Sequence, residues 1–519
     1  METILLDRAN LRNMSLKSIP LNFITTRQSA LNSSLIFVGG SKIKETTTDQ
    51  SMFLSWKIQR CGRHITPREQ ISNLPVSIFF PAAANEDVLL KIPTMAGIPT
   101  VIKSPPALIP PAGPTPGGKL PLSCIDKTVG GFVYLIQVFP PSSLSAAHDE
   151  EGAAAAVAAM RSGFARALVP YYPVAGRLAP SGLEVDCTGE GVWFVEAAAS
   201  CELADVDGLE CYPLQIPAEL LLPRPPTGEK LDGIILMAQA TRFTCGGFVV
   251  GITFSHAVFD GQGASRFLTA VGELARGLPA PSVAPVWERH AIPYPPRPPP
   301  PQLRIIREFK FVTQVADISA ASIERVKDEF KQAAASTGED CSTFDAVTAI
   351  VFKCRALALA GALPDGAEVR VGFAACTRHL LRGVLPTVDG YYGNCVYLAC
   401  VRRTNRESAL AELVGTVREE KEAIAAGFAD WMRGVRRYEP PVDYSTAILS
   451  DWSRLGFDEV DYGFGVPGYI FPHNDLVDYV ATLVYVRPPA PKRGGIRVLI
   501  GCMEEPHAAV FAAELAKFA

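Results

Sequence analysis

Seven prolines crowd the eleven residues Ala291-Ile-Pro-Tyr-Pro-Pro-Arg-Pro-Pro-Pro-Pro301. Proline has no amide N–H and a fixed φ, so a run this dense enters neither a helix interior nor the middle of a sheet. It adopts a stiff, extended form instead. At 519 residues the chain is too long for one ordinary domain and suits two. The run therefore reads either as the connection between two halves or as a disordered linker.

Both halves mix strand and helix patterns. In the first, Phe132 to Phe139, Gly191 to Glu196 and Ile234 to Phe243 read as strands, and Ala153 to Leu168 as an alanine-rich helix stopped before Pro170. In the second, Ile318 to Ala335 is an amphipathic helix and Ser342 to Gly361 a largely buried one. Arg406 to Ala425 and His507 to Phe518 continue as helices, while Val369 to Ala375, Cys395 to Val401, Asp478 to Arg487 and Arg497 to Cys502 read as strands. This is the layered α/β type.

One junction carries chemistry. Gly246-Gly-Phe-Val-Val-Gly-Ile-Thr-Phe254 is apolar, β-branched and short, a buried strand, and Gln262 to Arg276 has apolar residues at helical spacing. Between them His256 and Asp260 occupy Thr253-Phe-Ser-His-Ala-Val-Phe-Asp-Gly261. A histidine at the mouth of a strand is aimed by a rigid scaffold. Its imidazole, with an ordinary pKa of ~6.5, is mostly neutral at pH 7 and can take a proton from a hydroxyl or amine. The pattern alone is weak, since a His-x-x-x-Asp arises by chance in about one such chain in three. The alternative is a loop histidine bonded to backbone, with Asp260 capping the following helix.

Several further segments alter that balance. Leu120-Pro-Leu-Ser-Cys-Ile-Asp126, Ala167-Leu-Val-Pro-Tyr-Tyr-Pro-Val-Ala-Gly-Arg177, Cys341-Ser-Thr-Phe-Asp345, Gly390-Tyr-Tyr-Gly-Asn394 and Asp461-Tyr-Gly-Phe-Gly465 accompany the His256 motif. In that order they resemble the plant BAHD acyltransferases, coenzyme A-dependent enzymes marked by His-x-x-x-Asp-Gly and a later Asp-Phe-Gly-Trp-Gly. The resemblance covers residues 97 to 519 almost continuously. It implies two chloramphenicol-acetyltransferase-like domains, 95–290 and 304–519, with a channel between them and residues 291–303 as the crossover.

What the resemblance implies for the site is specific. His256 is the general base. Asp260, beside Gly261, forms a salt bridge with Arg378 that shapes the loop, without orienting His256. Asp461, Gly463 and Gly465 form a structural turn at the active site beside the coenzyme channel. There Phe464 replaces the family tryptophan and removes an indole N–H, a loss that matters if that donor serves an oxyanion. Ser342 and Thr343 open a helix with a capping-box pattern, and they are either that cap alone or a contact for the coenzyme's phosphates or pantetheine. Asn394 is expected to be a turn residue near the channel floor, outside the chemistry. No permanent cofactor is expected; acyl-CoA is the co-substrate, and no metal site is read from the sequence.

Substrate class follows by resemblance alone. Cys187-Thr-Gly-Glu-Gly-Val-Trp-Phe-Val-Glu-Ala197, Cys245-Gly-Gly-Phe-Val-Val-Gly251 and Ser450-Asp-Trp-Ser-Arg-Leu-Gly456 look like grass members that pass p-coumaroyl or feruloyl groups to alcohols. N-acylation of a polyamine, or use of benzoyl- or acetyl-CoA, stays open. So does a catalytically inactive relative, against which the intact His256 speaks. A thioester hydrolase lacks its Gly-x-Ser-x-Gly elbow, and a peptide-synthetase condensation domain usually has a second histidine where this chain has Ser255.

A net charge of −4 offers no basic footprint for nucleic acid. Twelve cysteines are scattered without Cys-x-x-Cys spacing, which fits a reducing compartment. No apolar run approaches the ~18 residues of a membrane span, so a soluble, cytoplasmic protein is expected, and a monomer is expected as well. Residues 1–94 differ in composition from the rest, being rich in Ser, Thr, Ile and Asn with alanine at five positions. Their acidic residues argue against a transit peptide, and their poor periodicity against an accessory domain. They read as an upstream extension of the reading frame, with Met95 the true start, poorly ordered and irrelevant to catalysis.

Overall fold

The computed structural model describes residues 99–141, 150–293, 308–335, 338–404, 407–435, 438–473 and 479–519, together with the backbone of 43–48 and 51–56. The chain divides into two units, Met1–Ile98 and Pro99–Ala519. In the first, β1 (Ile43–Thr48) and β2 (Ser51–Trp56) pair as an antiparallel hairpin. The rest of the expected 1–94 extension lies outside the described residues, as do positions 294–303 of the proline run.

The second unit opens with β3 (Val101–Lys103), β4 (Ala107–Ile109), β5 (Lys119–Pro121) and β6 (Phe132–Phe139), followed by α1 (Glu150–Ala167). Then come β7 (Arg177–Leu178), β8 (Glu184–Asp186), β9 (Val192–Ala199), the short α2 (Ala218–Leu221), β10 (Leu236–Arg242), β11 (Phe248–Ser255) and α3 (Gly261–Ala275). Past the proline run lie β12 (Gln314–Ile318), α4 (Ala320–Ala333), α5 (Thr343–Ala358), β13 (Val369–Cys376) and β14 (Val396–Arg403). The chain ends through α6 (Leu410–Glu422), α7 (Ile424–Met432), β15 (Thr446–Asp451), β16 (Tyr469–His473), β17 (Thr482–Val486), β18 (Ile496–Gly501) and α8 (Glu505–Ala516).

Among the described residues two mixed sheets dominate. One runs β16-β6-β11-β10-β9-β3, with β4 also on β9; the other runs β12-β18-β17-β15-β13-β14. A small third sheet joins β5, β8 and β7. Every residue of β11 is buried, Thr253 and Ser255 included, as its largely apolar sequence suits in a central strand. Helices α1 and α3 pack together, and Phe164 of α1 meets Phe194 of β9 and Phe267 of α3 at ring distances of 6.1 and 6.2 Å.

The two halves do not separate at the proline run. Strand β16, from the C-terminal half, pairs antiparallel with β6 at the edge of the N-terminal sheet. The reason lies in β6, Phe-Val-Tyr-Leu-Ile-Gln-Val-Phe, which uncovered would be a long apolar edge open to pairing with other chains. Tyr469, Ile470 and Phe471 close it and are themselves buried. Each fully buried side chain of this size contributes ~1.5–3 kcal/mol.

Candidate active site

Strand β11 ends at Ser255, and the His256 amide continues its line by donating to Gly131 O at 3.0 Å. The imidazole is half-buried. Four residues later Asp260 caps α3, its Oδ1 accepting from Gly263 N at 2.8 Å. The strand, a five-residue loop and the helix cap fix the direction in which His256 points.

Asp260 does more than cap. Its Oδ1 accepts from Arg378 Nη2 at 2.7 Å and its Oδ2 from Arg378 Nη1 at 2.8 Å and from Cys395 N at 3.0 Å. Both side chains are buried. Burial alone pushes the Asp260 carboxyl up, but the Arg378 charge and the hydrogen bonds from Arg378, Gly263 and Cys395 outweigh it and hold the group below the ordinary carboxylate range. Burial likewise opposes the Arg378 charge, and Asp260 reverses the balance so that the guanidinium is held more firmly protonated. Arg378 Nη2 also donates to Gly393 O at 2.9 Å. The pair thus ties the loop after His256 to residues 391–395, which lead into β14.

That tie delivers Asn394, a residue the sequence assigned to a turn away from the chemistry. Its Oδ1 lies 3.2 Å from His256 Nδ1. Its Nδ2 donates to His256 O and to Asp126 Oδ1, each at 2.8 Å, and its backbone N donates to Asp126 Oδ1 at 2.9 Å. Asp126 is fully buried, and its Oδ2 accepts from Ser123 N, Ser123 Oγ and Arg289 Nε at 2.9, 2.8 and 2.9 Å. Arg289 donates in turn to Val258 O, inside the His256 loop, and stacks on Trp287 with its guanidinium 3.5 Å from the ring centroid. Asp126 lay in a segment noted for its family likeness, but neither it nor Arg289 was singled out. Asp126 closes the largely apolar stretch Leu120 to Ile125, a faint signal, whereas Arg289 stands between Glu288 and His290 and left none.

Gly261 and Gly263 let the C-terminal half approach. A Cβ on Gly263 would sit 2.1 Å from Tyr392 O, and one on Gly261 2.5 Å from Leu455 Cδ1.

The Asp461 motif stands elsewhere. Asp461 Oδ1 accepts from Gly463 N and Gly465 N at 2.8 and 3.0 Å, and both glycines have positive φ. Its carbonyl bonds Arg276 and packs against Gly272, in the last turn of α3. Gly272 is twelve residues from Asp260, about 18 Å along the helix at ~1.5 Å per residue. Phe464 stacks on Phe248 at 5.2 Å, and Phe248 is eight residues, about 26 Å, from His256 at ~3.3 Å per strand residue. Both rulers place Asp461, Gly463 and Gly465 at the far end of β11 and α3. They are a structural clasp on the last turn of the helix, in keeping with a structural turn and remote from His256 itself.

Ser342 and Asp345 form the capping box of α5: Ser342 Oγ accepts from Asp345 N at 3.3 Å and Asp345 Oδ2 from Ser342 N at 2.8 Å. Lys421 reaches the same helix start, with Nζ 2.7 Å from Asp345 Oδ1. Thr343 is the first residue of the helix. Among the described residues no group of three or more His, Cys, Asp or Glu stands at metal-binding geometry. No described helix is long and apolar enough to cross a membrane.

The Transferase family profile matches residues 100–516. The chain is 43% identical to Acyl transferase 7 of Oryza sativa subsp. japonica, over 76% of this chain and 93% of the relative. It is 36% identical to myricetin 3-O-glucosyl 1,2-rhamnoside 6'-O-caffeoyltransferase AT1 of Crocosmia x crocosmiiflora, over 81% and 99%. Among solved structures its fold is similar to that of vinorine synthase, with TM-score 0.64 and 21% identity over 81% of this chain and 98% of that one. It is also similar to F. sporotrichioides TRI101 complexed with coenzyme A and T-2, with TM-score 0.59 and 16% identity over 77% and 99%. By sequence and fold together, the chain belongs to the Transferase family of BAHD acyl-CoA-dependent acyltransferases.

Proposed function

We propose that this chain transfers a hydroxycinnamoyl group, such as p-coumaroyl or feruloyl, from its coenzyme A thioester to the hydroxyl of a plant metabolite or cell-wall precursor. His256 is the general base. It removes the proton of the acceptor hydroxyl, and the oxygen attacks the thioester carbonyl to give a tetrahedral intermediate. As the C–S bond breaks, the departing thiolate takes the proton back from the imidazolium. No acyl-enzyme forms. Such acid–base help contributes ~10²–10⁴ in rate, and the remainder comes from holding both substrates together.

The observation that carries this reading is the mounting of His256: half-buried at the end of a fully buried strand, with one ring nitrogen 3.2 Å from a buried amide oxygen. The caffeoyl chemistry of the Crocosmia relative and the segments resembling grass hydroxycinnamoyl transferases support the donor class. Ser342 and Thr343 are proposed to face the coenzyme at the start of α5, where the free N–H groups of the helix N-terminus favour an anion and Lys421 offsets the Asp345 charge. The protein is read as a cytoplasmic monomer; its eleven described cysteines are all free thiols, which suits a reducing compartment.

The test is thiol release by the full chain from a panel of acyl-CoA thioesters, with alcohol and amine acceptors and product mass spectrometry, beside His256→Ala. Acceptor-dependent ester formation that the variant loses supports the proposal and identifies both substrates. Amide products only, or release with no acceptor, would redirect it to N-acylation or to hydrolysis.

A further inference from the structure

The side-chain amide of Asn394 can face His256 in only one way. Its Nδ2 has two acceptors at 2.8 Å, Asp126 Oδ1 and His256 O. Turning the amide over would set its oxygen against those two oxygens and leave two buried acceptors facing a third, with the desolvation cost of each unmet. With the orientation settled, Asn394 Oδ1 faces His256 Nδ1 at 3.2 Å. An amide oxygen only accepts, so Nδ1 carries the hydrogen, and the neutral imidazole keeps its lone pair on Nε2.

The orientation of Asn394 depends on residues that never touch the ring. Asp126 Oδ1 serves Asn394 alone, through N and Nδ2, because Oδ2 is occupied by Ser123 N, Ser123 Oγ and Arg289 Nε. Arg289, buried with Asp126, compensates its charge and also holds Val258 O in the His256 loop. From this geometry we infer that Asp126 and Arg289 are positioning residues which, through Asn394, set the tautomer of His256. Its catalytic consequence rests on the reading of His256 as the base: only the Nδ1–H tautomer leaves Nε2 free to accept a proton.

Asp126→Asn tests this directly. A carboxylate accepts on both oxygens, whereas an amide sets its NH2 either against Ser123 N and Arg289 Nε or against Asn394 N and Nδ2, donors in each case, and loses the charge that holds them. The measurement is two-bond ¹H–¹⁵N correlation of the histidine rings in the full chain, with His256 assigned by its absence in His256→Ala. The wild type is expected to show His256 as the Nδ1–H tautomer, and Asp126→Asn and Asn394→Ala to show a mixture. Turnover at saturating acyl-CoA is expected to fall by about 10²-fold in both variants, with KM for acyl-CoA within about twofold.

An Nε2–H tautomer in the wild type overturns the inference without any variant, so it stays decidable even if the variants fail to fold. A wild-type tautomer in folded Asp126→Asn overturns it as well. Turnover retained by His256→Ala would instead remove the general-base reading, while the ring spectra still decide whether Asp126 sets the tautomer.

Discussion

Asp260 follows His256 by four residues, yet both of its carboxylate oxygens are turned to Arg378, at 2.7 and 2.8 Å. The histidine is left to an amide, Asn394, and the carboxylate works on the frame. Arg378 passes the restraint to Gly393 O and Asp260 passes it to Cys395 N, on either side of Asn394. The ion pair therefore holds the residue that faces the ring.

Removing one partner strands the other charge in the interior, a cost of ~3–5 kcal/mol. Asp260→Ala and Arg378→Ala are each expected to lose stability on that scale, and the double variant to lose clearly less than the sum. Urea unfolding of the four proteins, run as a double-mutant cycle, gives the coupling. Strict additivity would mean that the two side chains do not depend on each other.

The same pair sets an acid limit. The Asp260 carboxyl is held below the ordinary carboxylate range in the folded chain, whereas it titrates near ~3.9 when unfolded. A depressed folded value means that this stability is fully present above about pH 4 and is lost as pH falls through the folded value. In urea titrations between about pH 6 and 3, wild-type stability should decline more steeply below about pH 4 than that of Asp260→Asn. Parallel curves would show that the carboxylate is not linked to folding. The Asp317–Arg497 pair is present in both proteins and cancels from the comparison.

Much of this site was readable before the fold was known, and the reason is local. A buried strand, a histidine at its mouth and a helix cap lie within some thirty consecutive residues, so periodicity exposes them. The Asp260–Arg378 pair came through resemblance. The contacts of Asn394, Asp126 and Arg289 did not, because they join residues 138, 268 and 163 apart and leave no repeating pattern in the chain. Strand β16 was missed for a related reason: it is five residues long, contains Pro472, and completes the sheet of the other half. Where a single expected helix covered 406–425, the helical segments run on through α7 to Met432.

Two helical glycines, Gly263 in α3 and Gly415 in α6, predict opposite outcomes on substitution. In mid-helix, glycine to alanine ordinarily gains about 0.5–1 kcal/mol. Gly415, in α6, has open space where its Cβ would be, and Gly415→Ala should show that gain. At Gly263 the new methyl would stand 2.1 Å from Tyr392 O, backbone that cannot swing aside. Gly263→Ala should instead cost about 1–3 kcal/mol and lower turnover, since Tyr392 adjoins Gly393 and Asn394. Thermal unfolding and turnover of the two variants check both signs, and a stabilising Gly263→Ala would contradict the close approach.

Phe464 allows the role of the missing indole to be settled. If a tryptophan N–H at this position stabilised the oxyanion, restoring it in Phe464→Trp would speed the reaction. The ring is instead buried between Phe139 and Phe248, at 4.9 and 5.2 Å, with Tyr462 at 5.9 Å. Phe248 begins the strand that His256 follows, so the donor would arrive about 26 Å from the chemistry by the strand's own rise. A hydrogen bond acts over about 3 Å, and distance alone excludes direct stabilisation. The larger ring must also fit a packed aromatic cluster, where overpacking costs about 1–3 kcal/mol. Phe464→Trp should therefore lower the unfolding midpoint and leave turnover within about twofold. A tenfold gain in turnover at unchanged stability would place the motif back beside the reacting atoms.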